Sequence, residues 1–536
     1  MAIPADRIRI EHHGDVVERL REATALLERV AADRALLAAL TSEERRRLMQ
    51  AAGEVFDPDP AARRRLLKTI DRLRRLEKAQ RDDERLAEAG IRVLRKPRVY
   101  TTPAEYAPPV FEPRDVAPAA GDEEAAHAAA AAEDAIEERA CYVCKRRYTS
   151  VHHFYDRLCP ECGDVSFGKR TETADLTGRV ALLTGGRVKI GYEAGLKLLR
   201  CGAQLIVTTR FPRDSAQRYT REPDFGKWSH RLEIFGLDLR HTPSVEAFCR
   251  ALLGSRARLD YIVNNACQTV RRPPEFYAHM MEREAAALPT MPEHERRLLG
   301  AYEGMRGDLL GGGRADTGTI ERRNGDTAGL DLAGLAHAAQ LSQVPLLAEE
   351  LAAGRAQLFP AGALDQDLQQ VDLRTRNSWR MLLAEVPTVE LLEVQLVNAI
   401  APFVLNARLK PLLLATPGRD KHIVNVSAME GQFYRSFKTT RHPHTNMAKA
   451  ALNMMTRTAA TDYHQDGIHM NSVDTGWVTD EDPAALAQRK LDDHRFHPPL
   501  DIVDGAARIV DPIISGVNTG RHVWGLFLKD FQPATW

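Results

Sequence analysis

Seven short apolar runs set what the second part of this chain can fold into. RVALLTG, AQLIVTTR, RLEIFGLDL, LDYIVNNA, HIVNVSA, IHMNSVDTG and HVWGLFL recur from about residue 174 onward, with helical patterns between them. Short strands that are apolar nearly throughout must be covered on both faces, and helices are the usual cover. Their alternation with helical segments predicts an α/β fold with a doubly wound parallel sheet over residues 174–536. The rhythm breaks once. Between about 270 and 390 the sequence is helix-like and irregular, with GGGRADTGTIERRNGDTAG at its centre. A stretch this long inside one sheet reads as an insertion, either a lid or an irregular excursion.

Upstream the pattern differs. Residues 1–100 are rich in Leu, Ala, Arg and Glu, and VVERLREATALLERVAADRALLAAL has leucines near helical spacing. Two or more amphipathic helices are expected there, broken at DPDP (57–60). Residues 101–138 read as a linker, first proline-rich and then an acidic alanine tract. Charge is balanced over the whole chain, with 74 Lys plus Arg against 74 Asp plus Glu. No global field favours nucleic acid or a membrane. The first residues lack the apolar core of a signal peptide, and no apolar run approaches bilayer length, so a cytoplasmic protein is expected.

Of seven cysteines, four stand in two pairs, Cys141/Cys144 and Cys159/Cys162, with fourteen residues between the pairs. Each CxxC can turn two thiolates inward, and two such knuckles complete a tetrahedral site for Zn²⁺. The set over 139–168 resembles a small zinc ribbon. Four thiolates leave no open position, which makes the metal structural. His152 and His153 between the pairs are expected as loop residues. Basic KRRY (145–148) would allow nucleic-acid contact, but a clasp between linker and sheet is preferred.

RVALLTGGRVKIGYEAGLKLL (179–199) runs strand, glycine-rich turn, helix, a place where backbone N–H groups can hold a pyrophosphate. Its companions follow in order: LDL (237–239), VNNAC (263–267), NVSA (425–428), AKAALN (448–453) and VDTGWVTD (473–480). That ordered set resembles the short-chain dehydrogenase/reductase family, over about residues 174–536. The resemblance implies a Rossmann-like fold and a nicotinamide dinucleotide. It places Thr184, Gly185, Lys189 and Gly191, with Ile190, at the phosphate turn, Lys189 standing where the family has glycine. It places Asp238 and Leu239 at the adenine and Asn265 beside the turn. Gly476 and Thr479 fall beside the nicotinamide. The second strand ends in Arg210 with no acid, and Arg187 adds a second cation. Both suit a 2′-phosphate, so NADP is favoured over NAD.

In the family a tyrosine, a lysine, a serine and an asparagine form the reaction centre. Lys449 and Asn398 match the lysine and the asparagine. The serine position falls on Ala428, with Ser427 one residue earlier, and the tyrosine position falls on Thr445. A threonine hydroxyl is a far weaker acid than a phenol, so Thr445 can bond a substrate oxygen but not replace the phenol. The loop between Ala428 and Thr445 is longer than the family usually has. It offers Tyr434, the preferred substitute, and His444. Asp474 and Asp480 border the cofactor loop. In the insertion, Arg374, Asn377 and Trp379 are either a substrate wall or a cap.

These readings give two functions to weigh. One is a divergent NAD(P)-dependent oxidoreductase acting on a small carbonyl or alcohol. The other is a dinucleotide-binding sensor or scaffold without turnover. A homo-oligomer, or a protein partner met through the N-terminal helices or the ribbon, is compatible with either; a membrane is not expected and nucleic acid is disfavoured.

Overall fold

The computed structural model describes residues 13–56, 60–95, 138–311, 333–351, 355–360, 370–434, 438–479 and 497–536, together with 363, 481–483, 486 and 490. Most of the expected linker, the centre of the insertion and Asp480 lie outside the described residues. The chain divides into two compact units, Met1–Arg81 and Asp82–Trp536.

The first unit is helical. It contains α1 (His13–Ala32), α2 (Ser42–Phe56) and most of α3 (Pro60–Leu86). Thr41 and Glu44 bond reciprocally at the start of α2, a capping box that fixes where the helix begins. Leu20, Leu26, Leu66 and Leu73 are exposed.

The second unit begins with the end of α3 and a short helix, Gly90–Arg95, which pack on the four-cysteine module. Backbone N–H groups of Gly90 and Ile91 donate to His153 O and Phe154 O, and Arg92 meets Asp156 at 2.6 Å. The module itself is a hairpin of β1 (Arg139–Ala140) and β2 (Arg147–Tyr148), followed by α4 (Pro160–Thr171). By residue type, Pro160 and Gly163 in CPECG suit a tight turn. Instead Cys159 caps a helix whose first residue is Pro160, a position where its missing N–H costs nothing. Gly163 makes room for His152, whose ring would meet any Cβ there. The His152 Nδ1 accepts from the backbone of Phe154 and Tyr155, so this histidine shapes the loop.

Eight strands make the main sheet: β3 (Val180–Thr184), β4 (Gln204–Thr209), β5 (Leu232–Gly236), β6 (Tyr261–Asn264), β7 (Lys421–Ser427), β8 (Ile468–Asp474), β9 (Phe527–Lys529) and β10 (Gln532–Ala534). Their order is β10-β9-β8-β7-β6-β3-β4-β5, parallel throughout except for β9 with β10. The fold is therefore Rossmann-like, as the seven apolar runs require. Helices cover both faces: α5 (Lys189–Arg200) and the later α11 on one side, α7 (Thr242–Ser255), α9 (Thr388–Ala415) and α10 (Pro443–Gln465) on the other. Between α5 and α7 lies α6 (Pro212–Thr220), α8 (Pro274–Ala285) belongs to the insertion, and α11 spans Ile502–Thr519.

Two expectations change. The described part of the insertion is a packed layer at the β5 edge. Tyr302 closes on Gly236, its hydroxyl donates to Leu335 O, and Leu298, Leu299 and Leu335 join the main core. An edge strand covered in this way is protected from pairing with other chains. In addition, α9 is long and apolar enough to cross a membrane by length and composition. It is half buried, with Leu405, Leu409 and Leu413 in the core, and it carries buried Asn398 and Asn406. Its apolarity is that of a helix packed on a sheet.

α4 is fastened to α11 by charge. Arg170 lies 2.6 Å from Asp501 and 3.1 Å from Asp504, Lys169 lies 2.7 Å from Asp511, and the Tyr155 hydroxyl donates to Asp504.

Candidate active site

The chain reverses direction across the sheet between β3 and β6. Loops leaving the carboxyl ends of neighbouring strands diverge there, and a crevice must open. A cleft of about 860 Å³ lies at this place, lined from the β3–α5 turn, the ends of β4 to β8 and the start of α10.

At one end the backbone does the shaping. Gly185 has φ +71°, and a Cβ on it would crowd Ala266. A Cβ on Gly191 would overlap Gly185 O and the Asn265 amide, which donates to Thr184 O and Gly185 O at 3.0 and 3.2 Å. No side chain caps α5, and its first residues, Lys189 to Gly191, line the cleft. Lys189 keeps the conformation expected of glycine, with φ +56°, at a cost of about 1–2 kcal/mol for a residue with a Cβ. Its ammonium lies 3.6 Å from Glu481, so the cation is spent partly on the protein. Ile190 lines the cleft and packs on Gly505.

The wall at the ends of β4 and β5 differs from expectation in its charges. Asp238 is buried and its carboxylate takes the Arg240 guanidinium on both oxygens; Arg240 reaches on to Glu393 at 2.8 Å. Leu239 lines the same wall. Arg210 donates to the Tyr277 hydroxyl at 2.7 Å and stacks over its ring, at the cleft surface. Arg187, expected as a second cation for phosphate, is committed elsewhere. It is buried against Asp214 at 2.8 Å, which also takes Arg218 at 2.8 Å, and burial holds its pKa below the ordinary value. The insertion completes this corner, since Glu284 accepts from the N–H groups of Arg213 and Asp214 at the start of α6. Burial, with Asp214 beside it, pushes the Glu284 carboxyl up to about 7.

At the other end side chains decide. A polar ladder crosses the strands beneath: Asn264 donates to Asn406 and Asn425, Asn425 to Thr456, and Ser472 to Thr456, all at 2.8–2.9 Å. Lys449 is buried and donates to Val426 O at 2.7 Å. Four residues earlier on α10, Thr445 lines the cleft with a buried hydroxyl that has no hydrogen-bond partner. Ser427 donates to Asn453 at 2.6 Å, so its proton is used; Ala428 offers none. Asn398 sits in a π-helical turn of α9 and clamps the Gln268 backbone, accepting from N at 2.7 Å and donating to O at 3.2 Å. Such widened turns occur mostly at functional sites. Gly476 has φ +76°, and the Thr479 hydroxyl donates to Glu481.

Tyr434 does not reach the cleft. Its side chain is 92% exposed, because the loop after the turn at Met429–Gly431 runs outward. His444 is buried behind Thr445, with Glu390 3.5 Å from its Nε2, and is not part of the cleft wall. Trp379 does line the cleft, stacked on His442 at 3.8 Å. Arg374 pairs with its near neighbour Asp372 and donates to Arg271 O, within the insertion, and Asn377 ties the insertion to Glu481 O. Asp474 faces the cleft and accepts from Met429 N and Gly476 N at 2.7 and 2.8 Å.

Sequence reasoning missed the residues that close this end. Tyr142, between the first two cysteines, lines the cleft and accepts at 2.9 Å from Trp477 N. Lys529, from β9, lies 3.7 Å from Asp474 and over the Tyr142 ring at 5.2 Å. Asp474, Asp530 and Tyr142 hold that ammonium above its ordinary pKa although burial opposes them. The pattern CYVC shows an aromatic inside a knuckle, but nothing local says which wall it joins.

The four cysteine sulfurs lie within 4.8 Å of one another, with Cys144 and Cys159 at 3.7 Å. A tetrahedron with metal–sulfur bonds of about 2.3 Å has edges near 3.8 Å. The donor set therefore fits one thiophilic cation, and among the described residues it is the one such cluster.

A family model described as enoyl-(acyl carrier protein) reductase matches residues 375–499. An uncharacterised protein, R665, of Acanthamoeba polyphaga mimivirus is 29% identical over 392 residues, 70% of this chain and 71% of its own length. Dehydrogenase/reductase SDR family member 13 of Bos taurus is 34% identical over 105 residues, 19% of this chain and 27% of that protein. A probable oxidoreductase of Streptomyces antibioticus is 40% identical over 92 residues, 17% of this chain and 30% of that one. Thus the chain spans less than a third of the named reductases it matches. Among solved structures, the Pseudomonas aeruginosa RhlG/NADP active-site complex is 17% identical, with a TM-score of 0.39, covering 66% of this chain and 95% of that one. These matches support the short-chain dehydrogenase/reductase family for the sheet domain, and the four-cysteine cluster ahead of it fits a zinc-ribbon-like module.

Proposed function

We propose that this protein is a divergent NADP-dependent oxidoreductase that moves a hydride to or from a small carbonyl or alcohol. The observation that carries it is the placement of Lys449, Thr445 and Gly476 at one end of a cleft whose other end is the open start of α5. The dinucleotide supplies or accepts the hydride. The Gly185–Gly191 turn would hold its phosphates through backbone N–H groups, and Asn265 keeps that turn in place. Lys449 would hold the ribose. Arg210, with no acid at the end of β4, favours a 2′-phosphate, while Arg187 is held by Asp214, a carboxylate it shares with Arg218. Zinc would fill the four-thiolate site as a structural ion. The substrate is a small molecule, and the exposed leucines of α1–α3 are the surface for any protein partner.

Binding of NADPH and NADH to the metal-loaded protein, followed by nicotinamide fluorescence, tests this. Saturable binding, tighter for NADPH, is expected. Binding of neither sinks the oxidoreductase. One observation favours a second reading, a dinucleotide sensor without turnover: Thr445 and Ala428 stand where the family has its proton donor and its serine. It predicts saturable NADPH binding with no hydride exchange.

A further inference from the structure

The reaction end of the cleft holds several hydroxyls; that of Thr445 has no partner but is no phenol, and two others are spent on the protein. Ser427 donates to Asn453, and Thr479 donates to Glu481. Two tyrosines line the cleft among the described residues. Tyr277 belongs to the adenosine end, where it accepts from Arg210. Tyr142 belongs to the reaction end, beside Trp477, Asp474 and Lys529. Its oxygen already accepts from Trp477 N at 2.9 Å. A phenol has one proton to donate, and this one goes to no protein acceptor in the structure. It is therefore free to donate to a group in the cleft.

The module holds this hydroxyl in place from outside the sheet. Tyr142 stands between two thiolates of one knuckle. Its N–H donates to Arg157 O, and the Lys145 ammonium donates to its carbonyl. Cys141 N donates to Arg146 O, and Lys145, at φ +64°, closes the knuckle back onto Cys141 O. Behind it, Tyr155 and Leu158 share a core with Val478 and Leu500, which flank the cleft loop. The phenol is thus positioned by metal ligands on one side and by the cofactor loop on the other.

We infer that the four-cysteine module forms one wall of the reaction chamber and that the Tyr142 hydroxyl donates a hydrogen bond to the oxygen of a carbonyl or alcohol substrate, the phenol contact that Thr445 on α10 does not supply. This rests on the oxidoreductase assignment above. Tyr142 is a substrate-contacting residue, and Lys529 and the thiolate knuckle are positioning groups for it.

Isotope-edited infrared difference spectra of carbonyl-labelled acetophenone, added to the metal-loaded full chain with NADP⁺, read the hydrogen bond without turnover. A donor on the carbonyl oxygen lowers the C=O stretch. The wild type is expected to show a lowered band. Tyr142→Phe is expected to return it toward the free value, and Lys529→Met to broaden it. Dinucleotide affinity, measured on the same samples by fluorescence, should change less than about threefold in both variants. Stripping the metal should reproduce the Tyr142→Phe spectrum. A lowered band that persists in Tyr142→Phe, or no lowered band in the wild type, overturns the inference while NADPH binding leaves the oxidoreductase standing. Failure of the wild type to bind either dinucleotide removes both.

Discussion

The two ends of the cleft are built from different material. At the phosphate end the shape is backbone: glycines at 185 and 191, an uncapped helix start and an amide that ties two carbonyls together. At the proposed reaction end the shape is side chains: Thr445 and Ala428 stand at the positions that the family resemblance gives to a phenol and a hydroxyl, and Tyr142 lines the same wall from another module. Backbone shape is hard to alter one residue at a time, because every Cβ added at 191 collides with the frame. Side-chain chemistry can be exchanged piecemeal while the frame persists.

That contrast can be broken at either end. Gly191→Val should have the largest effect, abolishing saturable NADPH binding and lowering stability by about 3 kcal/mol, the scale of overpacking in a tight site. Fluorescence titration and denaturant unfolding measure the two. Lys449→Ala should come next, with at least a hundredfold loss of any turnover and a native circular dichroism spectrum. If activity survives, the reaction end does not use the lysine as the family does.

The remaining two sharpen the comparison through stability. Glu284 is a carboxyl whose folded pKa, about 7, lies above its unfolded value. The native state binds more protons between about pH 4.5 and 7, so stability should fall as pH rises through that window, by at most about 3 kcal/mol. Glu284→Gln keeps an acceptor for the α6 N–H groups and should flatten the Tm-against-pH curve. Lys189→Gly should give the smallest change, a gain of about 1 kcal/mol from release of the left-handed strain, partly offset by the lost Glu481 pair.

Much of the phosphate end was legible because it is local. A strand, a glycine turn and a helix stand within 22 residues, and the apolar runs give the sheet without any long-range knowledge. The cysteine pairs were legible for the same reason. Charges were not. Arg187 read as a phosphate ligand because Asp214, 27 positions away, gives no sign in sequence that it will match it. Tyr434 read as the missing acid because loop length says nothing of direction. Tyr142 meets Trp477 across 335 residues, and no pattern within CYVC encodes that meeting.

The charged seam between α4 and α11 bears on how such a protein can be inherited. A chain begun at residue 174 would leave Asp504, in the first turn of α11, without Tyr155 and Arg170. Its carboxylate would keep the Asp501 N–H and the nearby Arg508 cation, but lose the two partners that the module contributes. The metal module is thus tied to the sheet domain through 501, 504 and 511, and relatives lacking the four cysteines are expected to differ most readily at 511, since 501 and 504 also cap α11.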